Sequence, residues 1–188
     1  MHDTQTVIQQ VGAASASALA PQLVALLQDA VAGGASLGFW RPLDADRARA
    51  YWGEIIAELA AGQRRLLVAL REGAAVGSVQ LAPASKQNAV HRAEIQKLMT
   101  LRAARRQGIG QALMRAVERL ADAEGRTLLV LDTATGSDAE RLYRALGYQQ
   151  AGVIPRYVVE ADGEEYSTTL FYKSLITERQ ATPQNDTE

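Results

Sequence analysis

The stretch AEIQKLMTLRAARRQGIGQALM, which runs from Ala93 to Met114, carries the pattern on which the interpretation of the whole chain depends. Side chains in its first part alternate as in a β-strand. The alternation predicts one strand face made of Ile95, Lys97 and Met99 and a second made of Glu94, Gln96 and Leu98. A basic loop follows, and apolar residues then recur at helical spacing. A strand, a basic glycine-containing loop and a helix in this order predict an anion-binding site.

The predicted anion site lies at the first turn of the helix, where the backbone N–H groups lack helical partners and carry the positive end of the helix dipole. Gly108 and Gly110 have no Cβ atoms to keep a phosphate away from these amides. Arg102, Arg105 and Arg106 add local positive charge. The segment therefore predicts a cofactor that carries a pyrophosphate.

Two other phosphate-binding motifs do not fit this segment. A Rossmann fingerprint requires a third glycine three residues after the second, and that position is Leu113. A Walker A loop requires Gly-Lys followed by Ser or Thr, whereas the chain has Gly110, Gln111 and Ala112. The anion site is therefore of another kind.

The R-x-x-G-x-G signature from Arg105 to Gly110, preceded by the hydrophobic strand LMTL, resembles the cofactor-binding motif of the GNAT N-acetyltransferase family. The resemblance continues through LLVLDT at 128–133 and SDAERLYRALGY at 137–148. Three segments, GGASLGF, RAEIQKLM and LDTATGS, are more narrowly similar to the tabtoxin-resistance acetyltransferases. Most of the chain, from about Leu19 to Leu175, can be interpreted in this way.

The resemblance implies an α/β fold in which helices flank a mixed, mostly antiparallel sheet with a central parallel strand pair. It implies acetyl-CoA as co-substrate, with pantetheine along the backbone of residues 98–100, the Met99 amide as an oxyanion donor and the pyrophosphate at residues 106–111. The cofactor-binding residues that it implies are Leu98, Met99, Thr100, Arg105, Arg106, Gln107, Gly108, Ile109, Gly110, Gln111, Ser137 and Tyr143. The chain departs from the family at Gly136, because many members have an asparagine at this position, seven residues before the tyrosine.

Tyr143 is the candidate general acid. The family pattern L-Y-x-x-L-G-[YF] is met by the segment that contains Tyr143, and the resemblance implies that this phenol points at the cofactor sulfur. The alternative is a core aromatic, because Tyr143 shares a helix face with Leu142 and Leu146. A phenol near pKa 10 is too weak an acid, by roughly 2 kcal/mol, to protonate a thiolate near pKa 8.5 fully. We therefore expect Tyr143 to donate a hydrogen bond to the developing charge, with proton transfer completed late.

Two carboxylates compete for the role of base. A lysine-type amine has a pKa near 10.4, so roughly one molecule in two thousand is neutral at pH 7 and a base is needed. Asp132 ends an apolar strand next to the cofactor strand, and Glu94 lies on the cofactor strand itself. Asp132 could instead cap the following loop, and Glu94 could be an exposed strand residue paired with Arg92 or Lys97.

The candidate acceptor-binding residues are Phe39, Trp40, Glu94 and Gln96. The two aromatic residues follow a glycine-rich segment, and the resemblance implies that the connection between the first two helices forms a wall of the acceptor pocket. Anchoring in the hydrophobic core is the alternative role for this aromatic pair.

Cap and turn residues predict further elements. Pro21 suits the first position of a helix over about 20–32. The apolar run TLLVLD predicts a strand buried on both faces and parallel to the cofactor strand. Ser137 and Glu140 form a capping box, S-x-x-E, that opens a short helix.

Composition sets broader limits. The 188 residues fit one domain, expected over 1–177, with residues 178–188 as a disordered tail. A net charge of −1 argues against a nucleic-acid partner, and the absence of an apolar run or signal-peptide pattern predicts a cytoplasmic location without membrane association. With no cysteine and only two histidines, we expect no metal site and no acyl-cysteine intermediate. A monomer and a homodimer both remain open.

These observations favour transfer of acetyl from acetyl-CoA directly to a primary amine on a small molecule. The narrower resemblance suggests a tabtoxin-like antimetabolite, and hence antibiotic resistance, or an amino-acid-like amine. One alternative is acetylation of a protein N-terminus or lysine. A second alternative, from a different class, is a non-catalytic acyl-CoA-binding regulatory module, which would need neither Tyr143 nor a nearby carboxylate.

Overall fold

A computed structural model describes residues 5–176 of the chain, so the expected tail at 178–188 lies outside the described residues. The strands in this range are β1 Val7–Val11, β2 Arg65–Arg71, β3 Ala74–Pro83, β4 Arg92–Thr100, β5 Leu128–Ala134, β6 Gln149–Val159 and β7 Glu165–Ser174. The α-helices are α1 Ala13–Ala32, α2 Ala45–Ala60, α3 Ile109–Ala123 and α4 Asp138–Ala145. Two short 3₁₀ turns lie at Gln87–Ala89 and Arg102–Ala104.

The seven described strands form one sheet in the order β1-β2-β3-β4-β5-β7-β6. The pair β4–β5 is parallel, because α3 carries the chain back across the sheet between them, and the other pairs are antiparallel. Helices α1 and α2 bury one sheet face and α3 and α4 bury the other, which gives two hydrophobic cores. The α/β architecture with a central parallel pair is therefore confirmed.

Helix α1 begins at Ala13, well before the predicted start, and Pro21 lies inside it rather than at its first position. The added turns are rich in alanine, which has the highest helix propensity. Pro21 removes one N–H and leaves the Ser17 carbonyl without a helical partner, but both residues are exposed, so water can bind that carbonyl. Between residues 5 and 176, no helix combines the length and apolar character that crossing a bilayer requires.

Strand β4 contains a bulge that simple alternation does not predict. Its register against β3 shifts so that Lys97 and Leu98 together face one residue of β3, and Lys97 has a left-handed φ of 50°. Ile95 packs in the core beneath α3, whereas Met99 packs in the core beneath α1 and α2. The prediction that Ile95, Lys97 and Met99 share one face is therefore wrong, because the extra residue reverses the alternation.

Helix α3 packs closely against the sheet at Gly77 of β3. A Cβ atom at Gly77 would lie 2.9 Å from the Met99 carbonyl oxygen and 3.1 Å from Leu113 Cδ1. The apolar face of α3, which includes Leu113, fills the core on this side. This close approach places the first turn of α3 beside the end of β4.

Candidate active site

Strands β4 and β5 separate soon after they pair. Their parallel pairing covers residues 92–94 of β4 and 128–130 of β5. Beyond this point β4 stays on β3 and β5 stays on β7, so among the described residues the facing edges have no partner strand. The result is a wedge-shaped opening at the carboxyl ends of the two strands. Such an opening accepts an extended ligand that takes the place of a missing strand.

A basic loop leads from this opening to the first turn of α3. Arg106 and Gly108 in the loop both have left-handed φ angles, 62° and 77°. Left-handed residues make tight turns that expose backbone amides, and glycine adopts this conformation without strain. Helix α3 then begins at Ile109 with no side chain capping its amides. This geometry is compatible with the predicted anion site.

Side chains from two other elements hold the basic loop. Asp29 of α1 accepts hydrogen bonds from the amide of Arg102 at 2.7 Å and from its guanidinium at 2.8 Å. Burial acts to raise the pKa of Asp29, but these bonds outweigh it and lower the pKa. Arg71 of β2 donates to Gln107 Oε1 at 2.8 Å, so the Gln107 carboxamide is engaged by the protein. Sequence patterns do not reveal Asp29 or Arg71, because these contacts span 73 and 36 residues.

Tyr143 lies on α4 and is 6% exposed. Its ring packs against Tyr148 and Phe171, with centroid distances of 5.8 and 6.2 Å. Burial raises the pKa of the Tyr143 phenol well above its usual value, and the charge of Asp132 adds to the shift. The ring is therefore a core residue, as the alternative role proposed, and its hydroxyl also lies within electrostatic reach of a candidate base.

The first turn of α4 differs in part from the predicted capping box. Ser137 Oγ accepts the Glu140 amide at 3.2 Å, which confirms the N-cap. The Glu140 carboxylate accepts the Gly136 amide at 2.5 Å instead of the Ser137 amide, which is already bonded to the Ala134 carbonyl. The reciprocal half of the box is therefore wrong. The Ser137 hydroxyl also bonds Thr133 at 3.2 Å, and its contact with the cofactor stays a prediction.

Asp132 and Glu94 lie on the same face of the sheet, at the base of the opening. Glu94 belongs to the last pair before the strands separate, and Asp132 follows two residues beyond that pair on β5. The Asp132 side chain is exposed, but partial desolvation by its surroundings raises its pKa, the nearby Glu94 carboxylate raises it further, and the Lys97 ammonium opposes the rise. Within residues 5–176, the two carboxylates belong to no cluster of three or more potential metal ligands.

The loop between α1 and α2 lies over this face of the sheet. The Phe39 ring packs edge-on against Tyr51 at a centroid distance of 5.3 Å, and a Lys97 ammonium lies 5.9 Å from the Phe39 centroid. Trp40 is 57% exposed, and its Nε1 donates to the Val159 carbonyl of β6 at 2.9 Å. Core anchoring is therefore wrong for Trp40, because its ring lies at the rim. Contact of Phe39 or Trp40 with an acceptor stays a prediction.

A polar network forms the floor beneath this loop. Arg64 donates to Gln96 Oε1 at 2.5 Å and to Gln80 Oε1 at 3.1 Å, and it pairs with the Glu58 carboxylate. The Tyr51 hydroxyl bonds Gln80, and burial raises the pKa of Tyr51 to about 12, so this phenol stays protonated. Gln96 is therefore held by Arg64, and its contact with an acceptor stays a prediction. Local patterns do not indicate Arg64 or Tyr51, because their partners lie on other elements.

Solved structures share this architecture over nearly the whole chain. An N-acetyltransferase from Staphylococcus aureus Mu50 is 17% identical with a TM-score of 0.75, over 92% of this chain and 99% of that one. A ribosomal-protein-alanine N-acetyltransferase from Brucella melitensis is 25% identical with a TM-score of 0.72, over 90% and 99% of the two chains. A Salmonella typhimurium protein solved with its cofactor acetyl-CoA is 20% identical with a TM-score of 0.72, over 92% and 95%.

The family model of the GNAT acetyltransferases matches residues 35–148, which is more than half of the chain. The match contains β4, the basic loop, α3, β5 and α4, the elements that build the opening. The wedge between the parallel strands and the uncapped helix start lie inside the matched range. From this match and the shared fold, we conclude that the chain belongs to the GNAT family of acetyltransferases and is an acyltransferase.

Proposed function

We propose that this protein transfers acetyl from acetyl-CoA directly to a primary amine of a small molecule, either a tabtoxin-like antimetabolite or an amino-acid-like amine. The observation that carries the proposal is the arrangement at the opening. The charge of Asp132, a carboxylate with a raised pKa, reaches the Tyr143 phenol at the end of a wedge that leads to an uncapped helix start. Acid, base and anion site are the three components that amine acetylation requires.

Acetyl-CoA fits the groups that the structure provides. The backbone edge of residues 98–100 faces the opening, and the amides of Ile109 and Gly110 have no side-chain cap. The guanidinium groups of Arg105 and Arg106 supply the positive charge that a pyrophosphate needs. When bound, acetyl-CoA supplies an acetyl thioester whose thiolate is a good leaving group. The chain's own residues would hold the nucleotide at the helix start, with the thioester end toward Tyr143.

The two sides of the opening have different roles in this proposal. Asp132, or Glu94 beside it, removes the proton from the acceptor ammonium directly or through water. Tyr143 donates a hydrogen bond toward the leaving sulfur from the opposite face. A non-catalytic binding module would need neither group, so their placement at one opening argues against that alternative.

The size of the acceptor distinguishes the two enzymatic candidates. The relative from Brucella melitensis, which acts on a ribosomal protein, favours a protein N-terminus. The loop between α1 and α2 favours a small acceptor, because Phe39 covers the polar floor and Trp40 ties the loop to β6. Because this loop is held against β6 above the polar floor, it leaves less room for a polypeptide acceptor. We therefore favour the small-molecule amine.

A thiol-release assay tests the proposal. The enzyme is given acetyl-CoA with a panel of amino acids, simple amines, tabtoxin-type β-lactam amino acids and peptides with free N-termini. Turnover with small amines is the expected result. Turnover confined to the peptides would overturn the small-molecule assignment. If no acceptor in the panel caused release of coenzyme A, both enzymatic candidates would be contradicted.

Replacing Gly110 with valine tests the phosphate assignment. A Cβ atom at Gly110 would lie 3.4 Å from Leu142 Cδ2 and 3.9 Å from Thr100 Oγ1, so it has room but points into the groove beside the end of β4. A valine there keeps phosphate from the amides and should weaken acetyl-CoA binding at least about tenfold. Calorimetric titration with acetyl-CoA measures the change. Gly108 is less suitable, because its left-handed φ of 77° would add backbone strain to any substitution.

The expected loss is graded, with Gly110→Ala lying between the wild type and Gly110→Val. Gly53→Val is the matched control, since Gly53 lies inside α2 and a Cβ atom there meets no atom within 4 Å. That variant should bind acetyl-CoA as the wild type does. If a folded Gly110→Val protein bound acetyl-CoA with unchanged affinity, the pyrophosphate would not bind at this helix start.

A further inference from the structure

Lys97 places an ammonium group inside the candidate acceptor site. Its Nζ lies 5.9 Å from the ring centroids of both Phe39 and Tyr51, and 3.7 Å from where a Cβ atom of Gly38 would stand. The side chain reaches this position because Lys97 occupies the bulge of β4 with a left-handed φ of 50°. The bulge therefore directs a lysine into the space between the sheet and its covering loop.

The ammonium of Lys97 lacks the close partners that other cations of this region have. Arg64 of the same region is bound by Glu58, Gln80 and Gln96, and Lys173 on the other face of the sheet donates to Glu118 at 2.8 Å. In the part of the chain that the structure describes, Lys97 has aromatic neighbours but no carboxylate within ion-pair distance. Burial lowers its pKa, while the charges of Asp132 and Glu94 oppose the effect from farther away. A half-buried cation without an ion pair is costly unless a ligand supplies the anion.

Two carboxylates, Asp132 and Glu94, bring negative charge within electrostatic reach of Lys97. Asp132 and Glu94 act on each other and on Lys97, and each of these carboxylates can attract an acceptor ammonium. An acceptor with only an amine would meet the carboxylates but would be repelled by Lys97. An acceptor that also carries a carboxylate can satisfy both kinds of charge. Two aromatic rings beside Lys97 exclude water and strengthen such an ion pair.

We propose that Lys97 is a specificity residue that binds the carboxylate of the acceptor, so that the enzyme selects amino acids over amines of the same skeleton. The inference rests on the proposed function and narrows its substrate class to molecules in which an anion accompanies the acetylated amine. Lys97 binds the carboxylate, and Asp132 with Glu94 receives the ammonium. The family motif assigns no role to Lys97, and the sequence suggested only an ion pair with Glu94, which is not formed among the described residues.

The test compares amino acids with their decarboxylated counterparts, which keep a basic amine and lose only the carboxylate. Suitable pairs are tyrosine and tyramine, histidine and histamine, tryptophan and tryptamine, phenylalanine and phenethylamine, leucine and isoamylamine, and lysine and cadaverine. We expect the wild type to acetylate the amino acid of its best pair at least about tenfold more efficiently in kcat/KM than the amine. Lys97→Met keeps the aliphatic stem and removes the charge. It should lower kcat/KM for the amino acid about ten- to a hundredfold more than it lowers kcat/KM for the amine, and the extra loss should lie mainly in KM.

A binding measurement and two further variants complete the test. Calorimetric titration of the same amino acid into the enzyme with coenzyme A should show the loss of affinity in Lys97→Met independently of turnover. Lys97→Arg should restore part of the selectivity, since it restores the charge. Lys86→Met, at an exposed lysine far from the opening, should behave as the wild type.

Each remaining outcome is decisive. Equal loss for the amino acid and the amine would mean that Lys97 supports catalysis or the fold, and would overturn the assignment of carboxylate binding. A wild type that prefers the decarboxylated amines would also overturn the inference while leaving the proposed function intact. No turnover with either member of any pair, together with turnover of peptides, would instead overturn the proposed small-molecule function.

Discussion

Replacement of Tyr143 by phenylalanine is expected to lower turnover about ten- to a thousandfold, while acetyl-CoA affinity and the melting temperature stay close to wild-type values. The substitution removes a hydroxyl and keeps the ring, so the contacts with Tyr148 and Phe171 remain. Steady-state kinetics, calorimetry and a thermal melt measure the three quantities. A small effect on stability with a large effect on turnover would separate a hydrogen-bond donor from a core residue.

The raised pKa of Tyr143 defines what this donor can do. Burial is the main cause of the rise, and it keeps the phenol protonated throughout the working pH range. Full transfer of its proton to a thiolate, which is uphill by about 2 kcal/mol for an ordinary phenol, becomes still less favourable. We therefore expect Tyr143 to stabilise the charge that develops on sulfur by a hydrogen bond. The pH profile of turnover should accordingly show no limb from Tyr143 near neutrality.

Tyr148→Phe is the matched control for this experiment. Tyr148 is buried to a similar degree, with 4% exposure against 6% for Tyr143, and its hydroxyl lies toward Glu118. Removing that hydroxyl should leave turnover within about twofold of the wild type. If Tyr143→Phe is as active as Tyr148→Phe, then Tyr143 is a core residue alone.

Replacement of Asp132 by asparagine is expected to reduce turnover about ten- to a hundredfold at neutral pH and less at high pH. Asparagine is nearly isosteric and still forms hydrogen bonds, but it cannot accept a proton as a carboxylate does. As the pH rises, more of the acceptor amine is neutral before it binds, so the need for a base falls. The rate measured across a pH series, with saturating acetyl-CoA, records this recovery.

The charges around Asp132 determine in which direction the pH profile of turnover shifts when each of them is removed. A base works as a carboxylate, so a raised pKa moves the acid limb of the rate profile to higher pH than an ordinary aspartate would give. Glu94 contributes to the rise, so Glu94→Gln should move that limb to lower pH. Lys97 opposes the rise, so Lys97→Met should move the limb to higher pH for every acceptor. Because that shift is common to all acceptors, it leaves the comparison between amino acids and amines valid.

The two carboxylates are distinguished by the size of their effects. If Asp132 is the base, Glu94→Gln should act more weakly and mainly on the Michaelis constant of a cationic acceptor. The reverse order, with Glu94→Gln losing more turnover at neutral pH, would assign the base to Glu94. Flat profiles in both variants would mean that the amine binds in its neutral form.

Local patterns were sufficient for the elements that carry the chemistry. The existence of strand β4, the basic loop and the amphipathic α3 follows from spacings of a few residues, as does the Ser137 cap of α4. The apolar run of β5 and the helix before it predicted the parallel pair correctly, since a strand, helix and strand of this length connect parallel neighbours. Burial of β5 on both faces was wrong, because only Leu129 and Leu131 are buried and the alternate residues face the partly open side of the sheet. The family motif lies within these same segments, so the fold and the anion site could be predicted together.

The composition of the acceptor site depends on contacts between residues far apart in the chain. The bulge at Lys97 exists only in register with β3, and it alone turns this lysine toward Phe39 and Tyr51. The bond from Arg64 to Gln96 spans 32 residues and engages the carbonyl of a glutamine predicted to contact the acceptor. Strand register and the electrostatic surroundings of a charge are set by whichever elements become neighbours. No periodicity within one segment contains that information.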